Sequence, residues 1–118
     1  VATYTKTILS GSTDGLGINV AATSSPGTTI HTGSTTASHL HEIWLYAQNY
    51  SSGVQWVTVE WGGTSSSDSI TQVIDPNVGL VLVCAGLIIK GNATAKIVRA
   101  YASTTNTISI HGYVNTIV

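Results

Sequence analysis

The sequence predicts an all-β domain, a single antiparallel β-sandwich of jelly-roll type, on three observations. Apolar residues recur with period two in the patterned segments. Clusters of Gly, Ser, Thr, Asn and Asp punctuate those segments at intervals of roughly 8–12 residues. No window carries the 3.6-residue period of an amphipathic helix. A chain of 118 residues is the size of one domain and is long enough to bury a core between two sheets.

Three short strands are expected early, over Tyr4–Leu9, Gly17–Ala22 and Thr28–Thr32. The segments between them hold Asp14-Gly15 and Pro26-Gly27, steps that supply the positive or fixed φ of turns. Residues 1–39 lack aromatics after Tyr4 and read in part as an extended N-terminal arm, with residues 40–118 as the sandwich core. From His41 onward Ile43, Leu45 and Ala47 alternate with Glu42, Trp44, Tyr46 and Gln48, which describes a strand with two different faces. Val57, Val59 and Trp61 alternate with Trp56, Thr58 and Glu60. With Asn49–Gly53 as the turn, these two segments read as a hairpin.

Gly62-Gly63 and Ser65–Asp68 form a loop, and Ile70–Ile74 a short strand ended by Asp75-Pro76-Asn77, since proline stops the ladder. Val78–Ile89 is apolar apart from Gly79 and Gly86 and is expected to supply central core strands. After the turn Lys90-Gly91-Asn92, Thr94–Ala102 and Thr107–Val118 complete the sandwich, the latter with Ile108, Ile110, Val114 and Val118 on one face.

Composition narrows the function classes. Charged residues are 8% of the chain, against about 25% in an ordinary soluble domain, and Ser and Thr replace them. A net charge of −1 favours association, so an oligomer or a lattice-bound subunit is expected. Lys6, Lys90, Lys96 and Arg99 cannot build the basic stripe that phosphate neutralisation needs, which argues against a nucleic-acid partner. Val78–Ile89 falls far short of the roughly 20 residues of a membrane helix, so no membrane partner is expected. The chain opens without a charged leader and apolar segment, and Val1 fits removal of an initiator methionine; a mature, cytoplasmically made product is expected. The lone Cys84 sits in the apolar run, where a buried, unreactive thiol is expected.

The residues able to carry chemistry are few. His39-Leu40-His41-Glu42 places two histidines on one strand face, with His31 as a possible neighbour. The order is not His-Glu-x-x-His and no complete ligand set is indicated, so this reads as an exposed polar turn and no metal is assigned. His111 shares a polar face with Ser109 and Tyr113 and reads as a surface or interface histidine. Glu42 and Glu60 lie on segments expected to pair, and paired carboxylates serve glycoside hydrolysis, yet any hairpin with a polar face carries such residues. Trp44, Trp56, Trp61 and Tyr46 suit either packing or a platform for sugar rings, with packing preferred. Asn49-Tyr50-Ser51 and Asn92-Ala93-Thr94 match the N-glycosylation pattern, uninformative in so Ser/Thr-rich a chain. No catalytic, cofactor-binding or metal-binding residue is assigned, and no enzyme is expected.

The strings GTTIHT, HEIWLYAQN, VTVEWGGT, GLVLVCAGL, IVRAYAST and ISIHGYVNTIV, in that order over residues 28–118, resemble small virion structural proteins of tailed bacteriophages. The resemblance implies a β-sandwich subunit of the capsid, a decoration or cement protein on the outside of the shell, often trimeric. Its implied partners are the major capsid protein and further copies of itself as a homotrimer; its implied location is the virion, after synthesis in the bacterial cytoplasm. None of the strings is a catalytic motif. The competing expectation is a receptor- or carbohydrate-binding module of a tail or fibre, using Trp44, Trp56 or Trp61 for stacking.

Overall fold

A computed structural model describes residues 2–118, so the processing expectation resting on Val1 lies outside the described residues. The strands are β1 (Tyr4–Ile8), β2 (Ile18–Asn19), β3 (Thr28–Thr32), β4 (Leu40–Asn49), β5 (Gln55–Trp61), β6 (Ser69–Ile74), β7 (Val81–Lys90), β8 (Ile97–Ala102) and β9 (Ile108–Ile117). Among the described residues a single 3-10 turn occurs, Ser66–Asp68, and it precedes β6. Sheet A has the order β1-β9-β4-β7, with β2 also pairing with β9, and sheet B has the order β3-β8-β5-β6. Every pairing is antiparallel, and the two sheets form the β-sandwich that the period-two pattern predicts.

The pairings are nested: β1 with β9, β3 with β8, β4 with β7, β5 with β6. The chain is therefore one long antiparallel ribbon whose tip is the link between β5 and β6. Rolling it brings β4 onto β9 and β5 onto β8 and closes the two sheets. Ile43, Leu45 and Ala47 of β4 and Ile108, Ile110 and Val114 of β9 then meet Val57, Val59, Val98 and Ala100 from sheet B, all buried. Each of the Val, Leu and Ile side chains among them contributes about 1.5–3 kcal/mol when removed from water. Gly112 lets β9 close on β4, because a Cβ there would collide with the carbonyl oxygen of Trp44.

Three expectations are corrected. β4 and β5 are not a hairpin, since they lie in different sheets and the link between them turns the corner of the sandwich. Asn49 holds that corner: its buried amide donates to the carbonyls of Gly53 (2.7 Å) and Ile74 (2.9 Å) and accepts from the Ser51 N–H at 2.9 Å. The true hairpin is β5 with β6.

Residues 2–39 are not an arm laid outside the sandwich. β1 and β2 line the edge of sheet A, β3 lies in sheet B, and Leu9, Ile18, Val20 and Ile30 are buried in the common core. Small aliphatics suffice to anchor this region without aromatics. The third correction concerns Val78–Ile89, which supplies β7, an edge strand and not a central one. Its inward residues Cys84 and Ile89 are buried, while its outward residues stand in solvent.

Candidate interaction surfaces

On the outer face of sheet A, Trp44 of β4 pairs with Tyr113 of β9, and their rings lie within 12° of parallel with centroids 6.1 Å apart. The Lys6 ammonium of β1 sits 5.0 Å from the Tyr113 ring centroid, a cation–π contact. On the β7 side the indole lies against Gly86, where a Cβ would come within 2.9 Å of Cζ2. Gly86 has φ of +69° and falls where the β4–β7 register shifts, so glycine serves both the bulge and the indole. Trp44 Nε1 donates to Glu42 Oε2 at 3.0 Å, and Asn115 Nδ2 donates to the same oxygen at 2.7 Å. These two hydrogen bonds, Asn115 first, hold the Glu42 carboxyl below its ordinary value, with partial desolvation opposing them. Tyr46 and His111 extend the face along the same two strands; His111 packs against Gly17 and meets the Ser109 hydroxyl at 3.3 Å. The face is thus a braced aromatic row, with the flanks of Trp44 occupied by protein.

A second surface runs along β7 and the link that enters it. Val78, Leu80, Leu82, Leu87 and Ile88 are each between 44% and 54% exposed. No charged residue occurs from Val78 to Ile89. Cys84, on the inward side of the same strand, is buried, and desolvation pushes its thiol up to about 11, so it is not a nucleophile at neutral pH.

The histidines fall differently from the sequence expectation. His39 lies in the link before β4, its Nδ1 3.2 Å from the Ser34 hydroxyl, but His41 is within the β4 ladder and partly buried. His31 on β3 is buried, and its Nδ1 accepts from the Ser10 N–H at 3.0 Å. The neutral ring therefore carries its proton on Nε2, which donates to His41 Nδ1 at 2.8 Å. Burial, then the neighbouring His41, lowers the His31 pKa to about 4; burial, then His39, lowers that of His41. Three of the four ring nitrogens of the His31–His41 pair are thereby engaged. Among the described residues no three His, Cys, Asp or Glu side chains gather as a metal site.

Glu42 and Glu60 do not face each other: Glu42 lies on the outer face of sheet A, bonded to Trp44 and Asn115, whereas Glu60 belongs to sheet B and turns to the link before β3. Glu60 is 1% exposed; its Oε1 accepts from the Gly27 N–H at 2.7 Å and its Oε2 from the Ser25 hydroxyl at 2.6 Å. The carboxylate ties the link before β3 to sheet B. Gly27 is needed there, since a Cβ would collide with the Ala100 backbone. Sequence reasoning missed this anchor, and no local signal marks it, as the partners lie 33 and 35 residues away. Trp61 packs against the core, whereas Trp56 stands on sheet B, edge-on to Tyr101 at 6.0 Å and 37% exposed. No pocket opens among the described residues, and no helix among them is long and apolar enough to cross a membrane.

No protein-family model, curated protein or solved structure matches the chain.

Proposed function

We propose that this chain is a structural protein of a bacteriophage virion, a decoration subunit that binds the outside of the major capsid shell and stabilises it. The observation that carries the reading is the outer face of sheet A, where Lys6, Tyr113, Trp44 and Gly86 form one row across four strands. A broad face of pre-ordered aromatics loses little side-chain entropy on contact, and one repeated on every shell subunit multiplies modest affinities. The nested strand pairing, taken as a jelly roll, supports the reading, since viral capsid domains use that architecture. Fold alone does not assign function, so the face carries more than the topology. The subunit is a homotrimer on this reading.

The test is addition of purified protein to shells that lack it, followed by sedimentation and side-chain-resolving imaging. Saturable binding that Trp44→Ala or Tyr113→Ala weakens tenfold or more is the expected result. Absence of binding, or binding indifferent to both substitutions, overturns it.

One observation favours a second reading, a glycan-binding module: Trp56 keeps more than a third of its surface open beside Tyr101. Quenching of indole fluorescence by defined oligosaccharides, abolished in Trp56→Ala, would select it over the shell reading.

A further inference from the structure

We infer that the His31–His41 pair is an acid-operated latch: the first proton it gains frees the Ser10 N–H from His31, and with it the link after β1, while the ring-to-ring bond between the sheets holds. When both rings are neutral, their four nitrogens carry two protons. His31 Nδ1 accepts from the Ser10 N–H and His31 Nε2 donates to His41 Nδ1, which leaves the second proton on His41 Nε2. A third proton fits neither remaining nitrogen. On His31 Nδ1 it faces the Ser10 N–H, and on His41 Nδ1 it faces the His31 Nε2–H, donor against donor in both places. One of the two hydrogen bonds must break.

Burial and bond strength decide which. His31 is 4% exposed and His41 only partly buried, so His41 takes the charge. Its Nδ1–H then donates to His31 Nε2 in a charge-assisted bond, roughly twice as strong as a neutral one. His31 moves its own proton to Nδ1 and turns a donor toward the Ser10 N–H. Ser10 Oγ accepts from the Thr32 N–H at 2.7 Å and the Gly11 N–H donates to the Ile30 carbonyl at 2.9 Å, so these contacts loosen with the link. Burial holds both rings below the ordinary 6.5, which puts the change on the acid side of that value. The residues opposite the rings, Val98 of β8, Ile89 of β7 and Thr116 of β9, carry no charge. Glu42 of β4 and Lys90 of β7 alternate to the outer face of sheet A, where Lys6 of β1 lies against Tyr113. On sheet B, Arg99 of β8 pairs with Glu60, whose carboxylate is held by Ser25 and Gly27, and Lys96 lies beside Gly33 and Gly62. The titratable neighbour acting on the pair is His39, which adds positive charge in acid and does not offset it.

The experiment follows the full chain, labelled with nitrogen-15, by NMR from pH 7.5 to 4.5. At pH 7.5 both rings should carry their proton on Nε2. As His41 becomes doubly protonated, the His31 proton should pass to Nδ1, and the Ser10 and Gly11 amides should lose about tenfold or more of their exchange protection, corrected for pH, while β5 and β6 keep theirs. His41→Asn, whose amide oxygen accepts from His31 without titrating, should keep Ser10 protected at pH 5. Should that variant fail to fold, the ring tautomers of the parent decide alone. His31 keeping its proton on Nε2 beside a doubly protonated His41 overturns the inference, as does a Ser10 amide that stays protected there. Loss of protection spread equally through β3 and β4, or a His41 that stays neutral until the domain unfolds, overturns it as well. None of these outcomes bears on shell binding, which the sedimentation experiment reads separately.

Discussion

Nε2 of His31 donates a hydrogen bond to Nδ1 of His41 across 2.8 Å, joining β3 of one sheet to β4 of the other. The Ser10 N–H occupies the remaining nitrogen of His31 and forbids a second proton there. The link after β1, β3 and β4 are thus held by an imidazole that must stay neutral.

That requirement predicts a stability that falls with acid. The folded pKa of His31, about 4, lies below its ordinary 6.5. The unfolded chain therefore takes up the proton first, and the contribution is complete above pH 6.5 and lost as the pH falls to 4. Its size is about 2–3 kcal/mol, allowing for some solvent screening. His41, also lowered, acts in the same direction. Urea denaturation at pH 7.5, 5.5 and 4.5 should show the decline, and His31→Gln should flatten it. Equal stabilities across that range would contradict the neutral-ring assignment.

Glu60 predicts a different kind of loss. Glu60→Ala leaves the half-buried Gly27 N–H and the exposed Ser25 hydroxyl without their acceptor, and should cost about 1–3 kcal/mol. Ser25→Ala removes one of the two bonds and should cost about 1 kcal/mol. Denaturant midpoints at constant m-value measure both. A Glu60→Ala variant as stable as the parent would mean that the link before β3 is not held by this carboxylate.

Period two in the sequence identifies which residues share a face, because alternation is a property of the strand itself. Ile43, Leu45, Ala47, Val57, Val59, Ile108, Ile110 and Val114 were all legible as one-sided sets, and all are buried. Strand partners were not legible. Alternation is the same whether β5 pairs with β4 or with β8, and the choice is made by contacts between distant segments. The same limit explains β7: an uninterrupted apolar run reports hydrophobicity but not whether a neighbour lies on one side or both. For the surfaces, the aromatic types were visible in the sequence, while the contact between Trp44 and Gly86 depends on a bulge that no local pattern announces. His31 and His41 are ten residues apart, and only the reversal between β3 and β4 brings them together.

Cys84 should be inert in the folded state. With its thiol raised to about 11 by burial, the thiolate at pH 8 is scarce, and labelling by a disulfide reagent should be at least roughly 100-fold slower than in the denatured chain. One thiol per chain should appear only on adding denaturant. Stoichiometric labelling within seconds under native conditions would show that β7 opens away from β4.

Deletion of residues 1–15 tests whether the early segment is core or appendage. The cut removes β1, whose five residues pair with β9, and the hydrogen bonds from Thr3 to the carbonyl of Val118 and from the Val118 N–H back to Thr3. It removes Leu9, 1% exposed, and loss of a buried leucine alone costs about 2–5 kcal/mol. It also removes Ser10, whose N–H holds His31 and whose hydroxyl accepts from the Thr32 N–H at 2.7 Å, so β3 loses its outer support. The Lys6 contact with Tyr113 disappears as well, uncovering one flank of the aromatic row. A domain of this size has about 5–15 kcal/mol of stability in total, so these losses together are comparable with all of it. The truncated chain should be largely unfolded at 25 °C by circular dichroism and by fast amide exchange through β3 and β9. A cooperative melt within a few degrees of the parent would instead make the segment an appendage. Leu9→Ala in the full chain separates packing from pairing, since it keeps β1 and should lower the melting temperature without abolishing the transition.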